Sequence, residues 1–284
     1  MKYTKPKYYL ICLCVFLSFS LENCVNHPEQ NEPPKASSTP AIPENPVQEI
    51  AKKATVLITG VRGGSGSGVI ILSNEKYYVL TAKHVVGTAP GSQNQYDIKS
   101  YDGKVYLTIN AENYDQLVVN TSEDIDLALI ELPIQGEKNY TAAKLSRGLS
   151  ENIPVLVSGW QKCLPQPQYD LTNGKIVKKL SSKSDIDKLS DKDDQLYLQH
   201  KDTNYNNGYK VKYTNATLSG MSGGPVFNQD GKIVAIHGMP GAGGKENTDQ
   251  DCQPINNPNL ANNWGIPISS FFESNLAKDK KIEE

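Results

Sequence analysis

Ser222 stands in Gly220-Met-Ser-Gly-Gly-Pro225, and a serine set among glycines is the residue in this chain best suited to act as a nucleophile. Its hydroxyl is a poor nucleophile at neutral pH. It becomes a good one only when a base takes its proton and backbone N–H groups hold the oxyanion that forms. Gly220, Gly223 and Gly224 lack a Cβ, so they can take tight turn conformations and let the backbone approach a reacting group closely. Upstream, His84 follows the apolar run Tyr77-Tyr-Val-Leu-Thr-Ala82, at the point where a strand gives way to a turn. Asp126 sits at the mouth of Leu127-Ala-Leu-Ile-Glu-Leu132. A carboxylate there is costly to bury unless a donor meets it, and an imidazole N–H is such a donor. Asp124 lies further from the apolar run and reads as a solvated loop residue. His84, Asp126 and Ser222 therefore supply a general base, its orienting carboxylate and a nucleophile, in that chain order.

The elements needed to bring these three together are strands. Gly, Asn, Tyr, Val and Ile are plentiful while long helical periodicity is scarce, which predicts an all-β protein. A short helix is expected over 47–53, followed by a strand over 54–60. The glycines of 62–68 lack the Gly-Lys-Ser/Thr of a phosphate-binding loop, and a hairpin between two strands accounts for them. Residues 76–82 form a strand that delivers the chain to His84. Further strands are expected at 153–160, 196–200, 208–214 and 232–238, the stretch 161–210 being otherwise mostly polar loop or hairpin insertion. His200 has no acidic or metal-binding pattern around it and reads as structural. A helix over 269–278 closes the chain.

In the order His84, Asp126, Ser222 and in approximate spacing, the sequence resembles the trypsin-like (chymotrypsin-fold) serine peptidases. The matching motifs are Thr-Ala-Lys-His84, Asp-Ile-Asp126-Leu-Ala-Leu and Gly-Met-Ser222-Gly-Gly-Pro, and the resemblance runs from about residue 47 to 272. The α/β-hydrolases share Gly-x-Ser-x-Gly, but their order is serine, acid, histidine, and His237 follows Ser222 too closely for their intervening sheet. The resemblance implies two antiparallel β-barrels, about 54–145 and 150–272, with the active site in the cleft between them. It also implies an oxyanion hole made by the N–H groups of Gly220 and Ser222. Met221 stands where digestive members carry an aspartate that pairs with a new N-terminus, so the oxyanion loop is expected to form without that ion pair. Thr217 and His237 match the glutamyl endopeptidases, whose pocket takes a glutamate side chain. A threonine hydroxyl and an imidazole N–H can replace the hydrogen bonds a carboxylate loses with its water. If His237 binds as an imidazolium, its protonation near an unperturbed value of about 6.5 should shape the pH profile.

The N-terminus carries Lys2, Lys5 and Lys7, then an apolar run over 8–19 and small residues at Ser18 and Ser20. That order is a signal peptide over 1–20, since a membrane span needs about 20 apolar residues. The expected location is outside the cell, in the periplasm or in the cell envelope. Membrane attachment is expected only if Cys24 is acylated, and Glu22 and Asn23 fit that pattern poorly. Residues 21–46 are rich in Pro, Asn, Glu and Ser and read as a linker or pro-segment, with the catalytic domain over 47–284. Cys163 and Cys252 could pair in an oxidising compartment. The 284-residue chain has 29 Lys+Arg against 31 Asp+Glu, so there is no electrostatic footprint for nucleic acid. No spacing suggests a metal site, no cofactor is implied, and a monomer is the default.

The expectation is thus an exported serine endopeptidase with a glutamate preference, acting on proteins or peptides. Two alternatives remain: a serine peptidase of different specificity, and a catalytically silent, possibly lipid-anchored surface protein that uses the same fold to bind a partner.

Overall fold

Asn45 opens the folded chain, its side chain accepting a hydrogen bond from Val47 N at 3.1 Å, with Pro46 at the first helical position. The computed structural model describes residues 45–60, 64–91, 94–120, 125–133, 140–163, 165–190, 194–241 and 262–282. The expected signal peptide, Cys24, nearly all of the linker, Asp124 and Cys252 lie outside the described residues.

Helix α1 (Pro46–Ala54) leads into β1 (Thr55–Gly60), and β2 (Ser65–Ser73) returns antiparallel to it, with Gly60 N bonded to Gly64 O at 2.8 Å. β3 (Lys76–Ala82) delivers the chain to α2 (Lys83–Val86), a single turn carrying His84. β4 (Tyr96–Lys99), β5 (Val105–Ile109), α3 (Tyr114–Leu117), β6 (Val118–Asn120) and β7 (Leu127–Leu132) complete the first half. Its seven strands pair in the order β5-β4-β1-β2-β3-β7-β6. The expected two-barrel architecture holds, with the first barrel formed here as a half-barrel sheet. Its edge strand β6 is three residues long and the opposite edge is β5, with no β5–β6 pairing among the described residues.

The continuous apolar runs have a simple cause. Side chains alternate across a strand, and the central strands are covered on both faces. Ile70, Val79, Ala128 and Ile130 pack into the sheet's own core with Ile98, Ile109 and Val118, while Val69, Ile71, Leu80, Leu127 and Leu129 face Phe227, Ile236, Trp264 and Phe271 from the second half.

That second half contains β8 (Pro154–Gln161), β9 (Gln168–Lys179), α4 (Gln195–Gln199), α5 (Lys201–Asn206), β10 (Val211–Tyr213), β11 (Pro225–Phe227), β12 (Ile233–Met239), β13 (Asn263–Pro267), α6 (Ile268–Glu273) and α7 (Asn275–Asp279). The strands close a barrel in the order β10-β13-β12-β11-β8-β9. Three expectations change here. The polar stretch 161–210 contains a full barrel strand, β9, which pairs along the whole of β8 while burying little beyond Thr172 and Ile176. The expected strand at 196–200 is instead helix through Gln199 and a turn at His200: α4 folds Tyr197 inward to stack on Trp264, ring centroids 4.2 Å apart. The closing helix is two, broken at Ser274, whose extended backbone ends α6 and caps α7. Lys212 of β10 forms a 2.8 Å ion pair with Asp194 at the head of α4, both side chains almost fully buried. Cys163 is buried and disulfide-bonded.

Candidate active site

β3 ends at Ala82, and α2 turns the chain so that His84 meets Asp126 across the sheet. Lys83 N bonds Asp126 O at 3.1 Å, a contact that continues the β3–β7 ladder by one step. His84 N then donates to Asp126 Oδ1 at 2.8 Å, and His84 Nδ1 lies 2.6 Å from Asp126 Oδ2. One carboxylate thus fixes both the backbone and the ring of the histidine. Since Nδ1 is engaged, Nε2 is the nitrogen left for proton transfer. A third donor reaches the same carboxylate: the Tyr209 hydroxyl, 2.5 Å from Oδ2. Burial is the largest influence on Asp126 and pushes its carboxyl up. The hydrogen bond and charge of His84, with the Tyr209 hydroxyl, outweigh burial and hold it below the ordinary carboxylate value.

The loop that carries Ser222 hangs from the second barrel and is pinned by the first sheet. Ser67 N donates to Ser222 O at 2.7 Å and Ser67 Oγ to Gly220 O at 2.9 Å, while Trp160 N donates to Ser67 Oγ at 2.8 Å. Lys162 N holds the Ser219 carbonyl at 2.7 Å and Gly224 N holds the Met221 carbonyl at 2.9 Å. In a planar trans peptide the N–H points opposite its carbonyl. The N–H groups of Gly220 and Ser222 are therefore turned away from those partners, and neither has an acceptor among the described residues. Gly220 adopts φ +94°, and a Cβ there would come within 2.6 Å of Lys162 N and Trp160 O. Only glycine fits that turn. Met221 is buried against Val155, Val157 and Tyr213, so the position expected to lack an ion pair packs as core instead.

His84, Ser222, Gly220, Thr217 and His237 all line one cleft of about 750 Å³. Thr217 and His237 are buried at its wall. Tyr213, absent from the sequence reading, places its hydroxyl 2.6 Å from His237 Nδ1 and 3.3 Å from Trp264 O. Burial lowers His237 to about 3, with the His84 charge a smaller influence in the same direction. The expectation of a titration near 6.5 is corrected: in the free protein the imidazole is neutral at ordinary pH, because burial, reinforced by the His84 charge, outweighs the opposing hydrogen bond to the Trp264 backbone. His200 lies between α4 and α5, away from the cleft lining. Among the described residues there is no group of metal-ligating side chains.

The low His237 value has a consequence for stability. Between about 3 and 6.5 the unfolded chain binds a proton at His237 that the folded chain does not, so stability is complete above 6.5 and falls as the pH drops through that window. The loss at pH 4.5 should be about 3 kcal/mol. Asp126 contributes in the same sense, but its share is lost only below the ordinary carboxylate value. Thermal melts from pH 8 to 4.5 should show a smaller loss for His237→Gln than for the unaltered protein; parallel curves would contradict this.

The trypsin-like peptidase domain family matches residues 66–236, a stretch that holds His84, Asp126 and Ser222. The chain belongs to that family. Solved structures share the family's fold at low identity. The HtrA-type protease AlgW with a tripeptide aligns with a TM-score of 0.52 and 20% identity, over 80% of this chain and 60% of that one. Rv3671c from M. tuberculosis H37Rv, in an inactive form, aligns with a TM-score of 0.53 and 17% identity, over 88% and 98%. The glutamyl endopeptidase of Staphylococcus epidermidis is 23% identical over 188 residues, 62% of this chain. The chain spans about half of that relative, 55%.

Proposed function

We propose that this protein is an exported serine endopeptidase that cleaves peptide bonds after glutamate. The observation that carries the reading is the 2.6 Å contact of His84 Nδ1 with Asp126 Oδ2, in a cleft that His84 shares with Ser222, Thr217 and His237. His84 Nε2 takes the Ser222 proton as the hydroxyl attacks the substrate carbonyl, and Asp126 holds the imidazolium that forms. The Gly220 and Ser222 N–H groups receive the oxyanion. His84 then protonates the leaving amine, and a water repeats the sequence to free the acyl-enzyme.

The glutamate preference rests on the wall of the cleft, and the likeness to a glutamyl endopeptidase favours it. A neutral His237 suits a carboxylate if Tyr213 donates to Nδ1, the shorter of its two contacts, because Nε2 then carries the hydrogen and donates with the Thr217 hydroxyl. Export follows from the basic, apolar and small-residue order of the first 20 residues.

The test is a set of short chromogenic peptides differing only at the residue before the cut. Hydrogen bonds to a charged group predict a preference for Glu over Gln of roughly 10- to 100-fold. His237→Ala should remove that preference and keep turnover of the Gln peptide. Equal losses on both peptides would leave His237 as barrel packing, and turnover confined to another residue would discard the glutamate pocket.

A further inference from the structure

Tyr209 precedes β10 in the second half of the chain, yet its hydroxyl ends on Asp126 of the first half, 2.5 Å from Oδ2. Three features aim it there. Tyr197 of α4 donates its hydroxyl to the Tyr209 carbonyl at 2.9 Å, both residues being buried. Gly238 leaves the ring its space: a Cβ at 238 would stand 2.5 Å from the phenol oxygen. Asn207, two residues before Tyr209, accepts from Asp126 N through its carbonyl at 2.9 Å, so one short segment holds both the backbone and the side chain of the acid.

We propose that Tyr209 is a positioning residue of the catalytic apparatus, which fixes Asp126 Oδ2 against His84 and ties the acid from the first sheet to the nucleophile-bearing barrel. The proposal rests on the peptidase reading above. A carboxylate oxygen that accepts from one donor alone can rotate about its Cβ–Cγ bond, whereas Oδ2 here accepts from both His84 Nδ1 and Tyr209, and Oδ1 from His84 N. Three donors converging on two oxygens leave the plane of the carboxylate no freedom. Burial, followed by the Asp126 charge, holds the phenol well above its ordinary value, so it remains a donor throughout the working range. Among the described residues, the titratable groups facing Asp126 are His84 and Tyr209, with Tyr213 behind Tyr209 and the buried His237 near His84.

Removing the phenol oxygen changes the acid in a predictable direction. A carboxylate with one donor fewer is a stronger base and holds the imidazolium more tightly, so the acid limb of the pH profile for kcat/KM should move to higher pH in Tyr209→Phe. The looser carboxylate should also lower kcat about tenfold with little change in KM. Gly238→Ala keeps the phenol but forces its ring to shift, since a Cβ there would stand 2.5 Å from the hydroxyl and 2.9 Å from a ring carbon, and should move the same limb the same way. A readout independent of turnover is the low-field proton resonance of the His84 Nδ1–H, which should shift in both variants. A folded Tyr209→Phe with the resonance, the acid limb and kcat all unmoved would overturn the proposal, as would a lowered melting temperature with an unchanged pH profile. If the resonance shifts in both variants while the unaltered protein cleaves no peptide, the tie between Tyr209 and the acid stands and the peptidase reading fails.

Discussion

Replacing Ser222 by alanine is expected to lower kcat on any cleavable peptide by on the order of 10⁶-fold, the largest effect a single substitution should have here. The loss is large because the hydroxyl has no substitute. Ser222 is the side chain on the loop whose carbonyls at 219, 220, 221 and 222 are all held by backbone or serine donors. That scaffold does not depend on the hydroxyl, so the variant should fold, melt near the parent temperature and still bind peptide. What should remain is the slow hydrolysis supported by the oxyanion donors and by binding alone. Steady-state kinetics with a melting curve on the same sample checks it. A variant that keeps its turnover would mean that a different group does the chemistry, or that the parent activity came from a contaminant.

Asp126→Asn should cost roughly 10⁴-fold in kcat, and the hydrogen bonds of the site explain how. The new amide has one acceptor and one donor end where the carboxylate had two acceptors. Its NH2 cannot take the Oδ1 position, because the His84 backbone N–H that points there is fixed by the chain. It must therefore take the Oδ2 position, opposite the His84 ring and the Tyr209 hydroxyl. The phenol can turn its hydrogen aside, but the ring can avoid a donor–donor clash only by moving its own hydrogen from Nδ1 to Nε2. An imidazole protonated at Nε2 cannot accept the Ser222 proton. The effect should fall on kcat, with the fold retained. A loss below tenfold would show that Asp126 does not set the tautomer of His84.

Much of this arrangement was legible in the chain because it depends on local signals. Apolar runs doubly covered in the fold stood out as strands, and His84 and Asp126 lay where those runs end, where the chain emerges at the edge of a core. The glycines around Ser222 marked a turn that only glycine fits. The residues that escaped notice contribute through contacts set by tertiary packing. Ser67 looked like one more residue of a glycine-rich hairpin, yet it is the point at which the first sheet grips the Ser222 loop. Tyr209 and Tyr213 read as alternating residues of a barrel strand, and nothing in their neighbours says that one reaches an acid 83 residues away and the other a histidine 24 residues on. Strand β9 was hidden by its polarity, since it buries few residues and carries lysines on its wet face. Residues 196–200 alternate as a strand would, yet α4 forms there and stacks Tyr197 on Trp264.

The buried pair of Lys212 and Asp194 bears on how this chain can change over time. An interior charge stripped of its partner costs about 3–5 kcal/mol, a large part of the stability of a whole domain. Neither position can drift alone. A lineage that trims or replaces the helical excursion ahead of β10 must lose its acid and its lysine together, or pass through an intermediate too unstable to persist. The buried pair therefore couples the excursion to the barrel strand, although they look on paper like an ornament and a core element.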